Sequence, residues 1–249
     1  MSQETPIGPG VRPDSRFSTT HWSVVLTAGA SASAGSREAL ERLCRTYWYP
    51  LYSYLRRRGC DAHQAEDCAQ GFFAVLLEGH TLERAKPERG KFRSFLLSCL
   101  SHFLADQWDQ AQAQKRGGGK VIVSLDIEDA ETRYQVEPAH DLTPERLFEK
   151  SWALTVLENA MARLKTESAE GGRQDLFESL KPHLPASRGP ASYKDVATRL
   201  GMTEGAVKVA VHRLRDRYRQ LVRAEIAETV STPEQVDEEI RDLFTSLAD

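Results

Sequence analysis

The segment from Ser192 to Arg223 constrains the fold most, because its apolar residues follow helical spacing on both sides of Gly201. In its second half they recur at intervals of four, three, four and three, which places them on one face of a helix. These residues are Val207, Val211, Leu214, Tyr218 and Leu221. The pattern predicts a long helix that packs through this stripe.

A shorter helix is predicted immediately before it. Ser192 and Asp195 have the spacing of a capping box, and Gly201 stands where this helix would end. Thr203 is then placed to cap the long helix. Two helices joined by a tight turn with glycine are typical of a helix-turn-helix, whose second helix can enter the major groove of DNA.

The charge of this segment favours nucleic acid as its partner. Residues 191–223 hold eight basic and three acidic residues, a net charge of +5. Residues 224–249 hold one basic and eight acidic residues, a net charge of −7. The formal charge of −3 for the whole chain therefore includes a basic segment followed by an acidic one. A cationic helix needs phosphates or another anionic partner. The alternative is a solvated helical hairpin in an unrelated domain.

Recognition helices read base edges with their N-terminal residues and hold phosphates with their flanks. We therefore predict two sets of DNA contacts in this segment. Nearest the bases are Thr203, Glu204, Gly205, Lys208 and His212, and on the phosphates are Arg213, Arg215 and Arg219.

Helical spacing also fills the first half of the chain. It predicts one helix that ends near Gly59, a second that begins near Asp61, and a third that carries Phe92, Phe95 and Phe103 on a buried stripe. Three helices with short loops form a compact bundle. The predicted fold class is therefore all-α, with an N-terminal helical bundle and a C-terminal helix-turn-helix joined by an acidic linker. An extra amphipathic helix follows at the C-terminal end.

Composition sets the predicted domain boundaries. A Pro-, Gly- and Ser-rich start indicates a disordered arm over 1–18, followed by the first domain over 19–116. A glycine run and a dense acidic cluster indicate a linker over 117–143. The second domain is predicted over 144–230, and an acidic helix that is a candidate regulatory element over 231–249.

Several classes of protein are excluded by what the sequence lacks. No stretch is long and apolar enough to cross a membrane, and the N-terminus lacks the order of a signal peptide, so we expect a cytoplasmic protein. The four cysteines show no C-x-x-C spacing, so we expect neither zinc nor disulfides and no cofactor. They are Cys44, Cys60, Cys68 and Cys99.

An enzyme is the least favoured class. Three polar residues on one turn, His63, Glu66 and Asp67, have the chemistry of metal ligands, but no further His or Asp pattern completes a site. The glycine run 117–119 lacks the Lys-Ser/Thr that follows in a phosphate-binding loop. We predict no catalysis by this chain.

Three stretches resemble bacterial sigma factors of the extracytoplasmic-function (ECF) group, in the sigma-70 superfamily. "AHQAEDCAQGFFAVLL" is similar to the polymerase-binding helix of that family, and "GKFRSFLLSCLSHFLADQWDQ" to its promoter-melting helix. "SYKDVATRLGMTEGAVKVAVHRLRDRYR" is similar to its helix-turn-helix, which reads the −35 element. The flanking stretches resemble an ECF-like subgroup of planctomycetes and related bacteria. The resemblance spans most of residues 36–223.

The resemblance implies a transcription initiation factor that binds core RNA polymerase and directs promoter recognition and melting. It implies that Glu66, Asp67 and Gln70 contact the clamp helices of the largest polymerase subunit. A solvated helix face is the alternative for these three residues. The family usually has Glu after the glutamine, whereas this chain has Gly71.

Promoter melting needs cations to hold the separated strand and planar groups to stack on its bases. On the resemblance, we expect the −10 region to contact residues around the third helix. They are Lys86, Arg89, Lys91, Arg93, Trp108, Lys115 and Arg116.

The expected partners are core RNA polymerase and promoter DNA, with an anti-sigma factor or other regulator as a further candidate and no membrane. A stand-alone helix-turn-helix regulator that does not bind polymerase is the alternative function. For the acidic tail we set two hypotheses side by side. Residues 233–248 fold back over the helix-turn-helix and restrain DNA binding, or they form an exposed or separately packed helix.

Overall fold

The computed structural model describes residues 34–78, 82, 91–113, 127–136, 142–184, 192–228, 230 and 232–248. Within these ranges the chain forms nine α-helices and no strand, which confirms the all-α prediction. The helices are α1 (Ala34–Arg57), α2 (Ala62–Glu78), α3 (Phe92–Ala113), α4 (Ile127–Val136), α5 (Pro144–Glu170), α6 (Gln174–Leu180), α7 (Tyr193–Leu200), α8 (Glu204–Ala227) and α9 (Pro233–Ala248). A short 3-10 helix, Lys181–His183, follows α6. The predicted arm over 1–18 lies outside the described residues.

The helix-turn-helix has the local geometry that its sequence predicts. The Ser192 hydroxyl accepts a hydrogen bond from the Asp195 backbone N–H at 3.2 Å, and the Asp195 carboxylate accepts one from the Ser192 backbone N–H at 3.3 Å. Gly201 ends α7 with φ of 64°, a left-handed conformation that glycine adopts at little cost. The Thr203 hydroxyl then accepts from the Ala206 backbone N–H at 3.2 Å and starts α8. The predicted capping box and caps are confirmed.

Helix α5 lies at the centre of the packing, since α1, α6, α8 and α9 all contact it. Phe148 and Trp152 of α5 are almost fully buried in these contacts. Where α1 crosses α5, the hydroxyls of Ser53 and Ser151 lie 3.0 Å apart, and both residues are buried. Small side chains at this point let the two backbones approach closely while their hydroxyls satisfy each other.

The buried side chains form two clusters. The larger joins α1, α2, α3 and α5 to the C-terminal part of α8 and to α9. The smaller lies inside the helix-turn-helix and is built from Leu180, Val196, Ala197, Val207 and Val211. Side chains from the two predicted domains therefore share the larger core, and the positions of the domain boundaries stay a prediction.

Helix α4 lies within the predicted linker, and its helical structure was not expected from the sequence. Its Ala130 is buried, and the Glu131 carboxylate accepts hydrogen bonds from Arg56 Nε at 3.0 Å and Nη2 at 2.9 Å. The Tyr52 hydroxyl also donates to Glu131. The acidic composition suggested a solvated connector, but one of its carboxylates is held by α1.

None of the helices in the described ranges is long and apolar enough to cross a membrane.

The Glu131 contacts make a prediction about acid stability. Burial opposes ionisation of this carboxyl, but hydrogen bonds from Tyr52 and Arg56 outweigh it and hold the pKa of Glu131 below its ordinary value. A carboxyl group whose pKa is lower in the folded chain than in the unfolded chain stabilises the fold when it is ionised. This stabilisation is fully present above the unfolded-state pKa, about 4.3, and it is lost as the pH falls through the folded-state pKa. We expect Glu131→Gln to lower the free energy of unfolding at pH 7 by about 1 kcal/mol, measured by denaturant titration with circular dichroism.

The difference between wild type and Glu131→Gln should shrink as the titration is repeated at progressively lower pH below that value. The matched control is Glu170→Gln, which removes an exposed carboxylate at the end of α5. An equal loss of stability by Glu131→Gln at every pH would contradict the role given to its charge.

Candidate functional site

Glu66, Asp67 and Gln70 form a polar patch on α2. This helix is held in place at its N-terminal end and along the face opposite to the patch. Asp61 and Gln64 exchange hydrogen bonds at 2.8 and 3.1 Å, each side chain accepting from the other backbone N–H. Asp67 is exposed, and Glu66 and Gln70 are half-buried beside it. Gln70 Nε2 donates to Glu66 Oε1 at 2.9 Å. The other face of α2 packs into the core through Ala65, Ala69, Phe72, Phe73 and Leu76.

Gly71, where the sequence departs from the family pattern, lies against α3. A Cβ atom added at this position would meet Phe103 Cζ at 3.3 Å, a tight contact that requires the ring to shift. The glycine therefore has a packing reason in this chain, since it lets α2 and α3 approach through the Phe103 ring.

The phenylalanines of α3 pack in the core, as predicted. Phe92 is buried, and Phe95 and Phe103 are half-buried and pack against the same core. The Phe72 and Phe103 rings meet edge to face, with centroids 5.8 Å apart. These rings hold α3 in place and do not offer free faces for stacking on a base.

At the start of α3, two cations meet three carboxylates, and we call this group the α3–α9 charge cluster. Arg93 forms ion pairs with Glu149 of α5 and with Glu239 of α9, and its Nη2 lies 3.2 Å from Asp242 Oδ2. Lys91 pairs with Asp242, and its Nζ lies 3.7 Å from Glu239 Oε1. The cluster therefore adds ion pairs to the contacts of α3 with α5 and α9.

The cluster is buried at its centre. Arg93 and Glu239 have side chains only 5% and 4% exposed, whereas Lys91 is 38% exposed. The Arg93 guanidinium lies over the face of Trp152, 4.3 Å from the ring centroid, in a cation–π contact. Burial, together with the neighbouring Arg93, lowers the pKa of Lys91 from its ordinary value.

Other residues predicted to contact the −10 region are not described by the structure. Lys86, Arg89, Lys115 and Arg116 lie outside the described residues. Trp108 belongs to α3, but its side chain lies outside the described residues. Their DNA contacts stay a prediction.

The N-terminal half of α8 presents the residues predicted to read bases. Thr203, Glu204, Gly205, Lys208 and His212 are all exposed there. Lys208 Nζ lies 2.7 Å from Glu204 Oε1, and His212 Nδ1 lies 3.3 Å from Asp216 Oδ2. Both pairs are exposed, so their net energies are small and DNA can replace the carboxylate partner. This face of α8 is open to a ligand in the structure.

The three arginines predicted to hold phosphates lie in different surroundings. Arg213 and Arg219 are exposed, and Arg219 Nη1 lies 2.6 Å from Asp216 Oδ1. Arg215 is half-buried and donates from Nε and Nη2 to the His183 carbonyl oxygen, at 3.0 and 2.7 Å. Arg215 therefore fixes the end of the 3-10 helix to α8, a structural contact that was not expected from the sequence.

The tail helix α9 folds back onto α8, but at the end opposite to the base-reading residues. Arg223 Nη1 pairs with Asp237 Oδ1 at 2.6 Å, and Val236 and Leu243 join the same core as Ile226. The tail therefore packs on the helix-turn-helix segment, but it leaves the residues predicted to read bases exposed. That it restrains DNA binding stays a prediction.

The acidity of the tail was evident in the sequence, but the roles of its individual carboxylates were not predicted. Glu239 lies three residues after Val236 and four before Leu243, so it shares their buried helix face. An acidic residue at an apolar position of an amphipathic helix predicts a buried cationic partner. This signal was present in the sequence and could have located the partner face of α9.

The four cysteines are free thiols, and burial raises the pKa of the Cys44 thiol to about 11. Such a thiol is protonated at neutral pH and is a poor nucleophile. Among the residues that the structure describes, no group of three or more His, Cys, Asp or Glu side chains is arranged to hold a metal ion.

Comparison with known proteins identifies one part of the chain. Residues 43–114 match the family model of sigma-70 region 2, a range that holds most of α1, all of α2 and α3 and both cations of the charge cluster. No curated protein and no solved structure matches the chain. The region 2 match supports a sigma-factor role in binding core RNA polymerase and melting promoters.

Proposed function

We propose that this chain is a sigma factor of the ECF group, which binds core RNA polymerase and directs promoter recognition, melting and transcription initiation. The observation that carries the proposal is the region 2 match over α1, α2 and α3. A helix-turn-helix with an exposed reading face, formed by α7 and α8, supports it independently. The resemblance to the planctomycete subgroup rests on the sequence alone. The protein works without catalysis or a cofactor, in the cytoplasm beside the polymerase.

The polymerase contact is assigned to Glu66, Asp67 and Gln70. They lie on one side of a helix whose other side is buried, so they form a rigid polar patch. The hydrogen bond between Gln70 and Glu66 orders two of the three side chains before any partner arrives. Ordered polar groups lose less entropy on binding than free ones.

The −35 contact is assigned to the N-terminal half of α8 and to the arginines that follow. Thr203, Glu204, Gly205, Lys208 and His212 face the bases, while Arg213 and Arg219 reach phosphates. Arg215 supports this surface through the His183 carbonyl. The surface is rigid because capping contacts fix the starts of both α7 and α8.

The −10 strand is assigned to the cations around the start and end of α3. Lys91 and Arg93 lie on the part of the chain that matches region 2. Lys86, Arg89, Trp108, Lys115 and Arg116 complete this proposed surface. Its cations hold phosphates, and Trp108 stacks on a base.

A stand-alone regulator that binds DNA without polymerase is the alternative function. It accounts for α7 and α8 but leaves the polar patch on α2 and the region 2 match without a role. An anti-sigma factor or other regulator is a further partner of the sigma factor that we propose.

The polymerase contact is tested by titrating the purified full chain against bacterial core RNA polymerase. We expect saturable binding by the wild type and an affinity at least about tenfold lower for Asp67→Ala plus Gln70→Ala. The reason is that removing these two side chains leaves their polar partners on the polymerase unpaired, which costs on the order of 1.4 kcal/mol or more. Fluorescence anisotropy of the labelled chain measures both affinities.

The matched control is Gln174→Ala plus Glu178→Ala, which removes one amide and one carboxylate from the exposed face of α6. It should bind like the wild type. If the wild-type chain does not bind core polymerase but still binds DNA, the protein is a stand-alone regulator instead.

The DNA contact of α8 is tested by the salt dependence of binding to mixed-sequence duplex DNA. We expect Lys208→Ala to weaken binding and to reduce the slope of log affinity against log salt by about 1. On mixed-sequence DNA no −35 base is available to Lys208, so its ammonium neutralises a phosphate instead, and the variant neutralises one phosphate fewer. The slope is obtained from anisotropy titrations of labelled duplex at several salt concentrations.

Lys165→Ala is a closely matched control, since Lys208 and Lys165 are both 57% exposed and each faces a glutamate that is 48% exposed. Lys165 lies on α5, outside the proposed reading face. Equal slopes for the two variants would show that Lys208 does not carry a DNA contact.

A further inference from the structure

The α3–α9 charge cluster engages two cations of the region 2 match, and it buries one of them. Arg93 is enclosed by Glu149, Glu239 and Asp242, and Lys91 is paired with the two carboxylates of α9. A guanidinium that is 5% exposed cannot reach a DNA phosphate without movement of the groups that cover it. The groups of α9 that cover it, Glu239 and Asp242, lie near the middle of that helix.

Stability alone is a weak explanation for this cluster. Taking charges out of water is costly, and a buried ion pair is often no more stabilising than apolar residues of the same volume. Helix α9 already has an apolar stripe with which to dock, since Val236 and Leu243 are buried and Ile240 and Leu247 pack beside them. A carboxylate inserted in that stripe at position 239 is better explained by recognition of a particular cation or by a switch.

The chemistry of the cluster matches that of a nucleic-acid backbone. A carboxylate and a phosphate both accept charge-assisted hydrogen bonds from a guanidinium, and both pair with a lysine ammonium. Glu239 and Asp242 therefore stand where phosphates would have to lie to reach the same two cations. The two kinds of anion cannot occupy that position together.

We propose that α9 is an intramolecular competitor of the DNA strand, in which Glu239 and Asp242 occupy the phosphate positions of Lys91 and Arg93 until α9 leaves. The inference rests on the proposed function, because it takes these two cations as part of the strand-binding surface. It differs from masking of the helix-turn-helix, whose base-reading residues are exposed while α9 is docked. The chain would therefore be able to find duplex DNA before it can hold a melted strand.

Helix α9 has the features of an element that can detach. It packs through one face, against α5 and α8, while Phe244 on another face is 62% exposed. Part of its attachment is ionic, through the charge cluster and the pair between Arg223 and Asp237. The more exposed pairs, those of Arg223 and Lys91, weaken in competition with other ions, whereas the buried pair of Arg93 and Glu239 is screened less. A polyanionic strand competes for the same cations that hold α9.

The test uses the full chain and a short, fluorescently labelled, mixed-sequence single-stranded DNA. In Glu239→Gln plus Asp242→Asn the helix keeps its shape while both anions are removed. If the open form is about a tenth of the wild-type population, uncovering the cations raises the apparent affinity about tenfold. The slope of log affinity against log salt should steepen by about 0.7, because Lys91 then neutralises one further phosphate of a single strand, and by about 1.4 where Arg93 also exchanges Glu149 for a phosphate.

Two further variants separate masking from a general effect of charge. Glu234→Gln plus Glu238→Gln removes the same two charges from exposed positions of α9, outside the ion pairs described above, and should leave strand affinity close to that of the wild type. Adding Lys91→Gln to Glu239→Gln plus Asp242→Asn should abolish much of the gain, since Lys91 is one of the uncovered cations. Circular dichroism of each variant establishes that it is folded.

A chain that lacks residues 231–249 distinguishes the ways in which the proposal fails. If this truncated chain binds the strand more tightly than the wild type but Glu239→Gln plus Asp242→Asn does not, the carboxylates are not the competitor and the proposal is wrong. An equal gain by the exposed control pair also overturns it. If the truncated chain does not bind the strand, then Lys91 and Arg93 do not contact the strand, and the proposed competition by α9 is wrong as well. Binding of core polymerase, measured separately, then still decides the sigma-factor role.

Discussion

The placement of the helices depends on the burial of α5 on more than one face. Most of its residues from Leu147 to Val156 are buried, and they point in several directions around the helix. A helix with apolar residues around most of its circumference needs partners on several sides. Helix α1 covers one side, α8 and α9 cover others, and the Ser53–Ser151 contact sets how closely α1 approaches. The two proposed DNA-binding parts of the chain are thereby joined through a shared core.

Ion pairs of the α3–α9 charge cluster also connect the helices of that core. The charge cluster connects the start of α3 to α5 and α9, and Trp152 of α5 provides the ring beneath Arg93. Because the central guanidinium is buried, removing its carboxylates leaves a charge that must find other anions or reach water. The same interaction that attaches α9 therefore makes its attachment sensitive to a competing anion. In our proposal, this links the packing of the tail to the availability of the proposed strand-binding surface.

Local features of the sequence predicted most of the helices and the turn between α7 and α8. Helical spacing located α1, α2, α3, α8 and α9, and the capping residues Ser192 and Thr203 marked helix starts that the structure confirms. These features depend on neighbours in the sequence, so they can be recognised without the fold. The exposed face at Lys208 was also located by helical spacing, whereas the patch at Asp67 was implied by the resemblance to sigma factors.

The features that the sequence did not predict depend on distant contacts. Helix α4 lies in an acidic segment and is tied to α1 by Glu131, far away in the chain. Arg215 looked like a phosphate ligand because of its position, yet the His183 carbonyl lies within its reach in the folded chain. The pairing of Arg93 with Glu239 joins residues that are far apart in the chain. Its one indication in the sequence is that Glu239 occupies a position on the apolar face of α9.

The central claim is that the docked α9 and a bound strand exclude each other. Hydrogen–deuterium exchange of the wild-type chain, with and without saturating single-stranded DNA, measures this directly, since amides exchange faster when a helix detaches or opens. We predict faster exchange over Pro233–Ala248 when the strand binds, with no increase over Tyr193–Leu200. Unchanged or stronger protection of Pro233–Ala248 in the bound chain would contradict the claim.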